Sequence, residues 1–409
     1  MQTELAGFIR DSAEGREADA ILRKCVHCGF CTATCPTYQV LGDDLDSPRG
    51  RIYLIKRALE GAPVTGKTRL HLDRCLTCRA CETTCPSGVR YGRLADIGRA
   101  LVEARTTRPL WDRARRALLA FALPRTALFA AALKLGRLCG PILPQKLRTK
   151  IPEKIVPPGE WPPARHARKM LLLAGCVQPA LAPSINAAAA RVLDRLGISL
   201  VEARGARCCG ALRFHLNYQE AGRDDMRALI DAWWPMVEGG EVEAIVMTAS
   251  GCGVTVKEYG LLLEQDPAYR DKAVRISAMT KDLAEILQRE EMPKLPGATR
   301  VAFQSPCTLQ HGQQLHGAVE SLLEKAGFTL TPVRDAHLCC CSAGTYSLLQ
   351  PAISGELRSR KLAALHAGLP EVIATANIGC LVQLRAGTPT PLRHWIELLD
   401  QAPAGKIPP

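Results

Sequence analysis

The run Cys25-Val-His-Cys28-Gly-Phe-Cys31-Thr-Ala-Thr-Cys35-Pro36 returns fifty residues later as Cys75-Leu-Thr-Cys78-Arg-Ala-Cys81-Glu-Thr-Thr-Cys85-Pro86. Both read C-x2-C-x2-C-x3-C-P. Three thiolates at two-residue gaps wrap one iron–sulfur cube, and where two such runs occur the fourth thiolate, before proline, ligates the other cube. The spacing therefore assigns Cys25, Cys28, Cys31 and Cys85 to a cluster A, and Cys75, Cys78, Cys81 and Cys35 to a cluster B. The chemistry is one-electron transfer by two 4Fe-4S clusters. Structural zinc takes closed sets of four thiolates and explains the C-x2-C pairs, but not a third cysteine at the same gap followed by Cys-Pro, twice. A disulfide framework belongs to short secreted chains, and no signal-peptide pattern opens this sequence, so a reducing compartment is expected.

The chain has 18 cysteines in 409 residues, and ten lie outside the two runs. Eight of these repeat. Cys176, the pair Cys208-Cys209 and Cys252 are matched by Cys307, the pair Cys339-Cys340 and Cys380, at offsets of 131, 131 and 128 residues. Met170–Cys176 and Val301–Cys307 are each a short apolar run ending in a turn and a cysteine, as are Ala244–Cys252 and Val372–Cys380. Such runs read as buried parallel strands with the cysteine at the carboxyl end, where open α/β sheets place their ligands. Helical patterns at Ile185–Leu196 and Val319–Ala326 follow the first strand of each copy. In a reducing compartment four cysteines per copy make a candidate third site for a cluster or zinc: Cys176, Cys208, Cys209 and Cys252, with Cys307, Cys339, Cys340 and Cys380. Cys139 fits no pattern and reads as a packing residue.

These sites need scaffolds. Between the two runs, Ile52, Leu54, Ile55 and Leu59 recur at helical spacing, with Ser47-Pro48 suited to the helix start and Gly61 to its end. The fold class is α+β multidomain: an all-helical two-cluster ferredoxin-type domain (1–100), a basic Pro-rich connector (101–168), and two duplicated α/β cysteine-rich domains (169–295 and 296–409).

The formal net charge is +13, and the segment from Leu101 to Met170 holds fifteen Lys/Arg against four Asp/Glu, a local +11. Nine prolines between Pro109 and Pro163 forbid one long helix there. The apolar stretch Ala117–Cys139 is interrupted by Pro124, Arg125, Lys134 and Arg137, too broken to read as a membrane span. Arg113, Arg115 and Arg116 beside Leu118, Leu119 and Phe121 suit either a basic helix packed on protein or peripheral contact with an anionic membrane. Only Trp111, Phe121, Phe129 and Trp161 supply aromatics in that stretch, so no nucleic-acid partner is expected.

The double cysteine pairs resemble the cysteine-rich, or CCG, domain of heterodisulfide reductases and related flavin-linked oxidoreductases. Copy one carries Cys208-Cys209-Gly210; copy two reads Cys339-Cys340-Cys341, with cysteine where the family has glycine. The family's fullest pattern closes with C-x2-C, and the first of that pair is Ala249 in copy one and Asn377 in copy two, so the resemblance implies four ligands per copy rather than five. End to end, the chain resembles the iron–sulfur subunits of bacterial glycolate oxidases, most specifically in Ser47–Arg51, His337–Cys340, Ser342–Tyr346, Thr375–Cys380 and Arg393–Ile396. The resemblance implies FAD-binding partner subunits that oxidise glycolate to glyoxylate and an electron path towards a quinone or another acceptor. The expected location is cytoplasmic, either free or peripheral on the inner face of the inner membrane. Two other redox readings compete: the iron–sulfur subunit of a lactate or glycerol-3-phosphate dehydrogenase, and a heterodisulfide-reductase-like thiol enzyme.

Gly61–Thr68 matches G-x4-G-K-[ST], but a helical pattern precedes it where a phosphate loop needs a strand, so it reads as a helix end and a turn. No G-x-G-x-x-G opens a helix after a strand, and no flavin site is expected in this chain. His27 reads as shielding cluster A; His215, His311, His316 and His337 lie near the repeated cysteines; Asp43, Asp44 and Asp46 read as a turn. Arg74, Arg79 and Arg90 lie in or near the cluster B run and would favour its reduced state. No residue of this chain is expected to be catalytic.

Overall fold

The structure, a computed structural model, describes residues 1–140, 151–152, 154–295, 297 and 299–400. Pro141 and Pro144 of the connector and Pro296, at the boundary expected between the two copies, lie outside the described residues. The chain forms two compact units: Met1–Ala117 together with His337–Lys361, and Leu118–Ala336 together with the residues from Leu362 onward.

The first unit is helical. Helices Ala13–Lys24, Pro48–Leu59, Gly66–Asp73 and Tyr91–Arg105 bury Ile21, Leu22, Ile52, Ile55, Leu59, Leu72, Leu94 and Ile97 in one core. The helix between the cysteine runs starts as its sequence implies. The Ser47 hydroxyl accepts from the Gly50 amide at 3.0 Å, and Pro48 fills the first turn, where no donor is needed. Gly50 has a second reason: a Cβ there would lie 2.0 Å from the Asp44 carbonyl, so only glycine lets this helix meet the Asp44–Asp46 turn. The Gly61–Thr68 stretch leads into helix Gly66–Asp73, capped by Thr65 and preceded by a helix rather than a strand.

The second unit contains two four-stranded parallel sheets of one topology. Strands β1 (Arg168–Leu172), β2 (Ile198–Glu202), β3 (Ile245–Met247) and β4 (Thr280–Asp282) are ordered β2-β1-β3-β4. Strands β5 (Arg300–Gln304), β6 (Thr329–Leu330), β7 (Val372–Thr375) and β8 (Leu392–His394) are ordered β6-β5-β7-β8. Leu171 pairs with Val201 and Ile245, and Val301 pairs with Leu330 and Val372. Both sheets reverse their order beside the first strand, the switch point at which open α/β sheets bind ligands. Helices Ser184–Arg195 and Ala318–Lys325 follow β1 and β5.

The copies meet through polar contacts. The His394 ring, buried at the end of β8, donates from Nε2 to the Thr248 carbonyl at 2.9 Å. Its Nδ1 accepts from the Ile396 amide and caps the next helix. The equivalent cap in copy one is Asp282, which accepts from the Ala284 amide at 3.0 Å and from Gln313 of copy two at 3.1 Å.

Candidate iron–sulfur centres and thiol sites

In each cysteine run two residues take the left-handed conformation: His27 and Gly29 in the first, Thr77 and Arg79 in the second. This is the turn that folds three cysteines towards one point. Glycine does it without strain, whereas Arg79 (φ 61°) carries a cost of about 1 kcal/mol. Cys35 and Cys85 leave the runs in extended conformation, as the proline after each favours.

Two adjoining pockets result. One, of about 450 Å3, is lined by Cys25, Cys28, Cys31, Cys81 and Cys85. The other, of about 300 Å3, is lined by Cys35, Cys75, Cys78 and Cys81. Pro48, Cys81 and Tyr91 border both pockets. The two environments differ. Around the first, Cys28, Val26 and Phe30 are exposed. Burial, then the Arg49 charge, lowers the basicity of His27, whose Nδ1 lies 3.4 Å from Met1 Sδ. Around the second, Cys35, Cys75 and Cys81 are buried.

The inner pocket is rich in buried cations. Arg51 is only 1% exposed, and Asp46, at 0%, lies 3.3 Å from Arg51 and 2.8 Å from Arg74. One carboxylate thus serves two guanidiniums. Arg51 also reaches Thr37 at 3.1 Å, the His71 carbonyl at 2.7 Å and Cys35 Sγ at 4.0 Å. Arg99 donates to the Cys75 carbonyl at 2.7 Å and to Thr77. Burial pushes the Cys75 thiol up, but Arg51, Arg99, the Tyr91 hydroxyl at 3.5 Å and the Thr77 amide at 3.4 Å outweigh it and hold Cys75 below the ordinary thiol value. Burial and neighbouring cysteines push Cys31 up to about 11, and they raise Cys81 as well. Uncompensated buried charge costs several kcal/mol. An anionic group held by four thiolates would offset the cationic excess, so this donor set fits a cluster.

Copy one of the repeat brings its four cysteines together. Cys176, Cys208, Cys209 and Cys252 follow β1, β2 and β3 and hydrogen-bond in a chain in that order. Cys176 is raised by its hydrogen bond to Cys208 and by burial; the bond from Cys176 lowers Cys208 and the bond from Cys208 lowers Cys209, but the onward bonds to Cys209 and Cys252, together with burial, leave both raised. These are thiols that ionise on binding a metal, with release of protons. The Tyr259 hydroxyl fixes the Cys209 carbonyl at 2.9 Å. Gly210 has φ +82°, and a Cβ there would lie 2.4 Å from the Gly222 carbonyl, which explains the glycine of Cys-Cys-Gly.

Copy two is divided: Cys307 and Cys380 fold in the second unit, Cys339 and Cys340 in the first. Cys341, fully buried, takes φ +64° where copy one has Gly210, and its amide donates to Cys339 Sγ at 3.2 Å. Asn377, standing where the family pattern has a cysteine, donates to Cys380 Sγ at 3.7 Å.

Several expected residues have other roles. Arg90 is half exposed, 4.0 Å from Glu17. Asp44–Asp46 is a short turn, as expected, but Asp46 is also the buried counter-ion. His311 and His316 stack edge to face, and His215 meets Phe214 in the same way. Cys139 is half-buried at a helix end. Sequence reading missed Arg51 and Arg99 as neighbours of the inner pocket. The signal for Arg51 was present, an arginine inside the Ser-Pro-Arg-Gly-Arg segment.

Residues 21–89 match the 4Fe-4S dicluster domain family, and residues 170–257 and 301–385 each match the cysteine-rich domain family. The chain is 56% identical over 404 residues to the glycolate oxidase iron-sulfur subunit of Escherichia coli, covering 98% of this chain and 99% of that one. It is 29% identical to the probable glycolate oxidase iron-sulfur subunit of Bacillus subtilis, over 93% and 92% of the two chains. Lactate utilization protein A of Geobacillus thermodenitrificans is 26% identical over 57% of this chain. A crystal structure of a hypothetical protein from Helicobacter pylori shares the fold, with a TM-score of 0.51 at 9% identity over 95% of this chain and 72% of that one. With two adjoining cysteine-lined pockets and a duplicated cysteine-rich repeat in a relationship that runs the length of both chains, this protein belongs to the family of glycolate oxidase iron–sulfur subunits.

Proposed function

We propose that this chain is the electron-transfer subunit of a complex whose FAD-binding subunits oxidise glycolate to glyoxylate, and that it delivers the electrons towards a quinone from the inner face of the inner membrane. The observation that carries this reading is the pair of adjoining cysteine-lined pockets, which hold all eight cysteines of the two runs and share Pro48, Cys81 and Tyr91. Cys25, Cys28, Cys31 and Cys85 would hold the outer cube, and Cys75, Cys78, Cys81 and Cys35 the inner one. Thiolate-ligated cubes supply one-electron carriage, which suits a flavin that gives up two electrons in single steps.

The residues of this chain divide the remaining work. Val26, Phe30 and Cys28 leave the outer pocket open at the surface, the side from which a donor subunit is reached. Arg51, Arg74 and Arg99 favour added negative charge at the inner pocket, which raises its potential relative to the outer one. Tyr91 excludes water between the two pockets. Cys176, Cys208, Cys209 and Cys252 form a third thiol set that fits a metal.

The test is anaerobic purification with the flavin subunits, iron and sulfide analysis, and paramagnetic resonance after addition of glycolate. About eight irons per chain are expected from two cubes, and about twelve if the third thiol set takes another. Reduction by glycolate supports the reading. Reduction by lactate but not by glycolate would reject the substrate assignment.

A further inference from the structure

Of two consecutive helices, Leu110–Ala122 and Thr126–Leu138, the first buries an arginine and both expose an apolar stripe. The inward side of the first holds Arg116, buried and paired with Asp73 at 3.3 Å and Asp112 at 3.2 Å. Its outward side shows Leu110, Trp111, Leu118 and Phe121, all more than half exposed. The second helix buries Leu133 and exposes Leu128, Leu135 and Leu138. Trp111, Ala114, Leu118 and Phe121 recur every three or four residues, as do Leu128, Ala131, Leu135 and Leu138, so each helix presents one apolar stripe. Apolar residues so concentrated mark a surface that meets another phase or partner.

Charge selects the occupant. Between Leu110 and Leu138 there are six basic residues and one acid, Asp112, which is already bound by Arg108 and Arg116. Arg113, Arg125 and Lys134 are exposed beside the stripes. The Arg125 guanidinium lies 3.9 Å over the Phe121 ring and donates to the Phe121 carbonyl at 2.6 Å, which holds a positive charge at the edge of the exposed apolar stripe. Among the described residues no single helix is long and apolar enough to cross a membrane. These two pass that test only together, and a bend of 111° separates them. Thirteen-residue amphipathic helices with Leu, Trp and Phe on one side and arginine beside them suit burial in the plane of an interface.

We infer that helices Leu110–Ala122 and Thr126–Leu138 are an interfacial anchor that docks this subunit on an anionic phospholipid surface, with Trp111, Leu118, Phe121, Leu128 and Leu135 entering the acyl boundary and Arg113, Arg125 and Lys134 held at the phosphates. This deepens the peripheral location proposed above and is measured without reference to glycolate or to the clusters' turnover. The anaerobically purified full chain is sedimented with vesicles of phosphatidylcholine alone and of phosphatidylcholine with phosphatidylglycerol. The wild type should sediment with the anionic vesicles, weakly with the neutral ones, and less as salt rises. Each basic residue near the surface is worth about fivefold in partitioning, so R113Q/R125Q/K134Q should lose on the order of a hundredfold. Leu118→Glu with Phe121→Glu should abolish binding while iron content and circular dichroism stay at wild-type values. Three results would overturn the inference. One is no sedimentation with either vesicle. Another is equal binding by wild type and the glutamate variant. The last is a glutamate variant that keeps vesicle binding but no longer assembles with the flavin subunits, which would make the stripes a protein interface.

Discussion

The Tyr346 hydroxyl donates a 2.9 Å hydrogen bond to the carbonyl of Arg74, the residue immediately before Cys75. Tyr346 belongs to His337–Lys361, the segment of the second cysteine-rich copy that folds with the N-terminal helices. Its ring is buried near Cys75, Cys339 and Cys341, and burial, more than those thiols, pushes its hydroxyl above the ordinary tyrosine value. Tyr346→Phe should keep its full iron content but lose about 1 kcal/mol of stability, because a buried carbonyl loses its donor. With that donor gone, the negative end of the carbonyl dipole one residue before Cys75 is uncompensated, so the potential of the inner centre should fall. A redox titration followed by paramagnetic resonance checks this. Unchanged potentials of both centres would make the bond purely structural.

Arg51 carries a sharper expectation. Replacing it by methionine leaves Arg74 on Asp46 but removes the guanidinium from Cys35 and Thr37. The loss should be about 3 kcal/mol, in the range for breaking a buried ion pair. Iron should fall towards about four per chain, with the outer centre retained. Arg51→Lys should restore part of the loss, since a point charge cannot reproduce the guanidinium's several hydrogen bonds.

The crossed ligand sets are testable by single replacements. Cys35→Ala should remove the spectroscopic signal that Cys78→Ala removes, and Cys85→Ala the one that Cys28→Ala removes. Cys35 and Cys28 affecting the same signal would mean that each run serves its own cluster.

A pH experiment separates the two helix caps. Burial raises Asp282 from 3.8 to about 6. A raised pKa stabilises the fold fully below about pH 4, and that contribution is lost as pH rises through about 6. At roughly 1.4 kcal/mol per unit, the loss is on the order of 3 kcal/mol. Burial lowers His394 from 6.5 to about 4. Its contribution is present above pH 6.5 and is lost as pH falls towards 4. The two oppose each other in the wild type. Asp282→Asn keeps a capping side chain, so the variant should melt higher than wild type at pH 7 and drop more steeply on acidification to pH 4.5. Parallel melting curves across this range would refute the assignment.

Gly210→Ala should cost at least about 2 kcal/mol, combining a left-handed backbone with a methyl placed 2.4 Å from the Gly222 carbonyl. Its signature should be greater accessibility of Cys208 and Cys209 to a thiol reagent, with the N-terminal iron unchanged.

What the sequence disclosed, it disclosed through period. Equal gaps in Cys25–Cys35 and Cys75–Cys85, and offsets repeated from Cys176 to Cys307 and from Cys208 to Cys339, are local enough to read directly. They led to the helical module, to the parallel sheets, and to cysteines beyond strand ends. Partnerships made across long separations left no such trace. Asp46 looks like any turn aspartate until folding sets it between Arg51 and Arg74. Tyr346 lies 272 residues from the carbonyl it binds. The stripes from Trp111 to Leu138 are visible as helical patterns, but sequence alone points an apolar face inward by default, and here Arg116 occupies the inside.

That 272-residue separation bears on biogenesis. At roughly 5–20 residues per second, a ribosome that has just made Arg74 needs about 14–54 s to reach Tyr346. Until then the carbonyl of Arg74 has no Tyr346 donor, and the backbone leading into Cys75 lacks that anchor. The hydrogen bond that steadies the backbone before Cys75 therefore forms only late in synthesis, and chains truncated before Tyr346 would lack it altogether.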